Sequence, residues 1–187
     1  LLRDGEPVKM SKRSGNFITL RDIVEEVGKD VVRFIMLTRK NDATLDFDFA
    51  RVTEQSKDNP VFYVQYAHAR ICSIFKNAED SGLPVSQVDS ADLNCLKEEE
   101  EFQLMKKIIS FPEVVGKSAQ AREVHRIPFY LQELVAQFHS YYNIHRIISD
   151  DRDVSMARLR LLQCLRRTIA NGLLIMGVSS PERMQKV

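Results

Sequence analysis

The strongest constraint in this sequence is an apolar spacing of three to four residues that starts just after Asn59-Pro60 and persists to Met176. Asn59 offers a capping side chain and Pro60 stands at the first helical position, so a helix opens there and runs to about Glu79. The same periodicity predicts helices over 94–109, 112–121, 127–148 and 155–176, with Pro112 and Pro128 near starts and Gly177 at a C-terminus. Ser81-Gly82-Leu83-Pro84 and the polar stretch to Asp92 read as a loop. Residues 51–187 are therefore expected to form an all-α bundle.

Residues 1–50 follow another pattern. The opening stretch, 1–16, has turn residues and no apolar period, and reads as a surface loop. Thr19 can cap a short helix carrying Ile23, Val24 and Val27, which Gly28 would end; Asp30 would cap a second, Val31 to Thr38. The alternation Leu45-Asp46-Phe47-Asp48-Phe49 predicts a half-buried strand, with Phe17-Ile18-Thr19 as its partner. The expected fold is mainly α: a small α/β unit over 1–50, then the helical bundle over 51–187.

Composition narrows function mostly by exclusion. The 27 basic and 26 acidic side chains of the 187 residues leave a net charge of +1, but both ends of the chain lean basic around an acidic middle that culminates in Glu98-Glu99-Glu100-Glu101. Such a distribution suits contact with a polyanion at two places, or simply solvated helix faces. No apolar run approaches the ~20 residues of a membrane span. Cys72, Cys95 and Cys164 are scattered without a CxxC pair, which argues against a disulfide framework or a zinc site and fits a reducing cytoplasm. The four histidines form no catalytic grouping: His68 and His145 fall on apolar stripes, His125 near a helix start and His139 on a polar face.

Helical counting separates buried from available faces. In the helix after Pro60, Val61, Val64, His68, Ile71, Cys72 and Phe75 share the core stripe, while Tyr63, Tyr66, Arg70 and Asn77 lie opposite. Rings and a guanidinium on one face can stack on nucleobases, or can pack against another helix or residues 1–50. In the 127–148 segment, Leu131, Leu134, Val135, Phe138, Tyr142 and His145 read as core, with Tyr141 at the stripe's edge. Leu159, Leu162, Ile169, Leu173 and Met176 form the last buried stripe. Arg160, Arg167 and Asn171 align off it, as a phosphate-contacting row or a solvated one.

Chemistry concentrates in Lys9-Met10-Ser11-Lys12. A given tetrapeptide arises by chance in such a chain with probability on the order of 10⁻³. A mobile loop that brings Lys12, with Lys9 second, to a triphosphate can stabilise charge developing on departing pyrophosphate without any covalent role.

This loop resembles the KMSKS signature of class I aminoacyl-tRNA synthetases, with Arg13 in place of the final Ser. The run Asp58-Asn59-Pro60-Val61-Phe62-Tyr63-Val64-Gln65-Tyr66-Ala67-His68-Ala69-Arg70 is similar to the arginyl-tRNA synthetase pattern (D/N)-x-P-x-x-Y-x-Q-Y-A-H-x-R, and Pro181-Glu182-Arg183-Met184 resembles that family's ending, with Gln185, Lys186 and Val187 following here. The resemblance implies a stem-contact unit over 1–50 and a DALR-type anticodon-binding domain over 51–187. It implies tRNA(Arg) as partner, with Tyr63 and Tyr66 at the anticodon region and Met184 nearby; the helix faces add Arg70, Arg160 and Arg167 as tRNA-binding candidates. It further implies ATP contact through Lys9, Met10, Ser11 and Lys12, of which Lys9 and Lys12 would be catalytic, with ATP, its Mg²⁺ and L-arginine engaged in the full-length enzyme and none held tightly by this chain. The sequence has no HIGH signature and no parallel nucleotide fold, so the chain by itself is expected not to activate arginine. A cytoplasmic monomer off the membrane, with no bound metal, completes the expectation. The alternative is a free-standing helical RNA-binding module without catalysis.

Overall fold

The computed structural model describes residues 1–8, 18–40, 42–54 and 59–184; the Lys9–Lys12 loop, Phe17 and Asp58 lie outside them. The chain opens with β1 (Leu2–Arg3) and β2 (Glu6–Pro7), then α1 (Leu20–Val27), α2 (Lys29–Leu37) and the short α3 (Phe49–Thr53). The bundle follows: α4 (Pro60–Asp80), two 3₁₀ turns at Val85–Ser90 and Leu93–Cys95, α5 (Glu99–Ile109), α6 (Phe111–Ala121), α7 (Arg126–Ile144) and α8 (Arg152–Ile175). The mainly α architecture matches the expectation. Among the described residues no helix is long and apolar enough to cross a membrane.

Two strand expectations are corrected. Part of the predicted opening loop is an antiparallel hairpin with Leu2 opposite Pro7 and Arg3 opposite Glu6. Its turn is Asp4-Gly5, both at positive φ (52° and 82°), as a tight hairpin turn requires; that dipeptide is the sequence signal for it. Conversely, Leu45–Phe49 is not a paired strand. Among the described residues its only ladder contact is an isolated parallel bridge from Asp48 to Leu2. Phe47 and Phe49 are both buried, but so is Asp48, which accepts from the Gly5 amide at 2.9 Å and caps α3 through the Ala50 amide at 3.1 Å. A buried acid used as a helix cap mimics the polar position of a strand alternation.

The helix boundaries follow their caps. Thr19 and Asp22 make a reciprocal capping box that starts α1, and Gly28 at φ 87° closes it. α2 begins on Gly28 rather than on Asp30, whose carboxylate is turned towards the C-terminal tail. Asn59 caps α4 through the Val61 and Phe62 amides, while its side-chain amide donates to the carbonyls of Val52 and Glu54. The segment predicted helical from 94 is 3₁₀ and extended chain up to Glu98. α7 stops at Ile144, because His145 is extended (φ −112°, ψ 132°).

The main core joins α2, α4, α5, α7 and α8 around Leu131, Leu134, Val135, Phe138, Leu162 and Ile169; a fully buried side chain of this size contributes ~1.5–3 kcal/mol. A smaller core of Ile23, Val32, Phe47, Phe49 and Val52 holds the N-terminal unit. α2 serves both: Val32 faces the small core and Phe34 the large one.

Candidate nucleic-acid interface

One groove gathers most of the side chains that sequence reasoning places opposite the α4 core stripe. It encloses about 690 Å³ between α4, the end of α7 and the C-terminal tail, lined by Tyr66, Ala69, Arg70, Ser73, Ile74, Lys76, Asn77, Tyr142, Arg183 and Met184. A second cleft of about 320 Å³ adjoins it, sharing Ile74, Asn77 and Tyr142 and bounded by the Asn143–Ile148 segment. Arg70, Lys76 and Arg183 bring three cations to the larger groove, and no carboxylate is among its described lining residues. Such a surface attracts a polyanion and offers rings for stacking.

Arg70 organises this face. Its guanidinium lies 4.6 Å from the Tyr66 ring centroid and 5.2 Å from that of Tyr142, so two tyrosines flank one cation. It donates to the Tyr66 hydroxyl at 2.7 Å and to Nδ1 of His139 at 3.4 Å. Accepting at Nδ1 fixes His139 as the neutral tautomer with its hydrogen on Nε2, and that nitrogen is buried without a partner. Burial first, and the Arg70 charge second, push the His139 imidazole down to about 4. The ring stacks over Tyr66 at 6.3 Å and touches Tyr63 at 4.7 Å. Burial raises the Tyr63 phenol above its ordinary value, against a smaller opposing pull from Arg70.

The two readings left open for the tyrosine face divide between its residues. Tyr63 packs on the main core and on His139, the helix-packing alternative. Tyr66 and Arg70 also meet α7, yet both line the groove, and Met184 joins them there. Arg160 and Arg167 do not. Arg160 donates to the Ala91 carbonyl at 2.7 Å and fastens the 3₁₀ connection to α8, whereas Arg167 is exposed.

The sequence reading reversed the α7 tyrosines. Tyr141 is fully buried and gives its hydroxyl to Glu101 at 3.0 Å; Tyr142 is 36% exposed and faces the groove. Tyr141 lies seven residues after Leu134, two full turns along the same stripe, which is the spacing that could have placed it. His145 leaves the helical stripe altogether and meets Glu100 at 3.2 Å. Lys76 carries no distinguishing signal in the sequence, and Arg183 only its place in the Pro181–Met184 ending. His139 could have been suspected, because a row of two tyrosines and an arginine needs something to lean on.

Comparison with known proteins follows the same geometry. The DALR anticodon binding domain profile matches residues 64–184, a stretch that contains nearly all of α4 and ends on the groove's Met184. The arginine–tRNA ligase of Syntrophotalea carbinolica is 53% identical over 98% of this chain, which corresponds to 33% of that ligase. A Campylobacter jejuni protein assigned to the arginyl-tRNA synthetases superposes with a TM-score of 0.87 at 34% identity, over 98% of this chain and 39% of its own. The Thermus thermophilus arginyl-tRNA synthetase gives 0.69 at 28% identity, over 92% and 29%. The chain thus spans about a third of the length of the curated relatives it matches. Since the matched stretch takes in most of the bundle and every lining residue of the groove, the chain belongs to the DALR anticodon-binding domain family.

Proposed function

We propose that this chain is the tRNA-binding part of an arginine–tRNA ligase, and that its groove takes unpaired anticodon-loop bases of tRNA(Arg). The observation that carries the reading is the groove itself: Tyr66 and Tyr142 flank Arg70, Lys76 and Arg183 add charge, and no carboxylate opposes them among the described lining residues. Rings stack on bases of any identity, and the cations draw in the backbone. Met184 supplies an adaptable apolar wall. A free-standing module is less favoured, because the relatives matched over nearly the whole chain are named as ligases.

In the same reading, Lys9 and Lys12 serve the ATP half of the reaction in the cytoplasm, with Mg²⁺ and L-arginine held by the rest of the enzyme. Their ammonium groups would meet charge that develops on pyrophosphate in the transition state. Lys12→Ala in the whole ligase should therefore lower the maximal rate by ~10²-fold while ATP affinity changes little. An intact rate with weakened ATP binding would reject that role.

The direct test of the groove is titration of the chain with an arginine-tRNA anticodon stem-loop. Tyr66→Ala should weaken binding by ~1–3 kcal/mol with an unchanged melting profile. Normal binding together with early melting would make Tyr66 a packing residue and end the stacking proposal.

A further inference from the structure

The last described stretch, Met176 to Met184, carries no regular structure after the opening turn, yet it is held at four points before it reaches the groove. Arg33 of α2 donates to the Met176 carbonyl at 2.7 Å. Gly177 turns the chain at φ 66°, where an added Cβ would sit 2.7 Å from the Arg33 Nε. One carboxylate oxygen of Asp30, Oδ2, accepts from the Ser179 amide at 3.2 Å, from the Ser179 hydroxyl, and from Gln65 at 3.0 Å. Gln65 also donates to the Ser179 carbonyl at 2.9 Å, and His68 Nδ1 to the Pro181 carbonyl at 2.9 Å. Beyond these points the strap delivers Arg183 and Met184 to the groove wall.

Two features distinguish this from ordinary tail packing. Beyond the buried Met176 and Val178, which root it in the main core, its anchors are polar and come from two elements, α2 and α4, that share no local reason to bind the tail. Moreover, the other Asp30 oxygen, Oδ1, is buried with no partner, so the carboxylate is committed to the strap at a desolvation cost. Gln65 and His68 also lie on α4 within one turn of Tyr66, so the helix that presents the stacking face simultaneously grips the strap.

We propose that Asp30, Gln65 and His68 are positioning residues that seat the 176–184 strap, and that RNA affinity depends on the strap being seated. The proposal rests on the groove being an RNA site. None of the three lines the groove; each acts through Arg183 and Met184. By linkage, RNA that uses the seated wall must in turn hold the strap down.

The experiment uses the chain and the arginine-tRNA anticodon stem-loop, with affinity and amide hydrogen exchange over Val178–Met184 as readouts. Asp30→Ala and Gln65→Leu should each speed exchange in the strap and weaken binding by ~10-fold. Met184→Ala added to Asp30→Ala should cause no further loss, because an unseated strap no longer presents Met184. Tyr66→Ala added to Asp30→Ala should multiply, since Tyr66 keeps its own place on α4. RNA should slow strap exchange in the wild type. If Asp30→Ala frees the strap yet binds like wild type, if its exchange does not change, or if Asp30→Ala and Met184→Ala multiply, the positioning role is overturned while the RNA site stands. Failure of the wild type to bind would overturn the RNA site itself, and this role with it. Should Asp30→Ala melt at low temperature, Gln65→Leu carries the same comparison from the neutral partner.

Discussion

Two clusters of arginine and tyrosine sit within one turn of α7, and they have opposite characters. On one side, Glu101 from α5 accepts from the Tyr141 hydroxyl at 3.0 Å and from Arg158 of α8 at 2.8 Å, while its second oxygen caps the amides of Lys97 and Glu98. Arg158 finishes its own set on the Arg146 carbonyl. Glu101 is 1% exposed, and burial together with its charge drives the Tyr141 phenol far above its ordinary value. On the other side, Arg70, Tyr66, Tyr142 and His139 use the same kinds of group without a carboxylate. There the cation has no acid partner in the groove and a ring nitrogen goes unpartnered. The central acid makes the difference. With it, the polar groups close on one another and lock three helices; without it, charge and aromatic faces stay available for a ligand.

The largest expected effect breaks the closed cluster. Glu101→Ala leaves the largely covered Arg158 guanidinium without its acid and removes two backbone caps, so stability should fall by about 3 kcal/mol. Urea unfolding measures it. Replacing both partners, Glu101→Leu with Arg158→Met, should recover most of that loss, because apolar groups of similar volume leave no charge stranded. A double variant as unstable as Glu101→Ala would mean that the caps on Lys97 and Glu98, not the ion pair, dominate.

Arg70→Ala probes the open cluster. Here no buried acid is abandoned, so stability should change by less than about 1 kcal/mol, while stem-loop affinity drops by ~1–3 kcal/mol. Loss of stability on the Glu101 scale would erase the contrast between the two clusters.

The next effect sharpens the contrast through pH. The native His139 imidazole titrates near 4 instead of the ordinary 6.5. Between those values the unfolded chain binds a proton that the folded chain refuses, so this residue's contribution is complete above about pH 6.5 and lost as pH falls towards 4. The ring is incompletely buried, and solvent screening reduces the loss to roughly 1–2 kcal/mol. His139→Gln should remove that part of the slope when unfolding is compared at about pH 7 and about pH 4.5. An identical slope in wild type and variant would show that His139 titrates freely.

Legibility in the sequence followed the range of the interactions. The Thr19 cap of α1, the Asn59-Pro60 start of α4 and the stripes of α4 and α8 depend on residues a few positions apart, and all are readable. The Asp4-Gly5 turn is equally local, but the lack of any apolar period around it reads as a loop. The reversed Tyr141 and Tyr142 differ by 100° on one helix, and what separates them is Glu101, forty positions away. Asp30 could be read only as a helix cap, since Ser179, its real partner, lies at the far end of the chain. Long-range polar partners decide which polar residues become structure and which remain a site, and spacing along the chain holds no record of them.

The smallest expected effect applies that rule to the two arginines that spacing placed in one row. Arg160 has a fixed acceptor, the Ala91 carbonyl at 2.7 Å, and is half-buried against the 3₁₀ connection; Arg167, two turns on, is exposed. If a satisfied arginine is structural and an unsatisfied one available, the pair should separate cleanly. Arg160→Ala should cost about 1 kcal/mol in urea unfolding, the net worth of one such hydrogen bond, and leave the salt dependence of stem-loop binding untouched. Arg167→Ala should stay within about 0.5 kcal/mol of wild-type stability, as exposed substitutions do. If Arg167 reaches an RNA phosphate, the logarithmic salt slope should fall by roughly one unit. A salt slope that moves in Arg160→Ala but not in Arg167→Ala would show that a backbone hydrogen bond does not keep an arginine from phosphate, and the distinction drawn between the two α7 clusters would lose its generality.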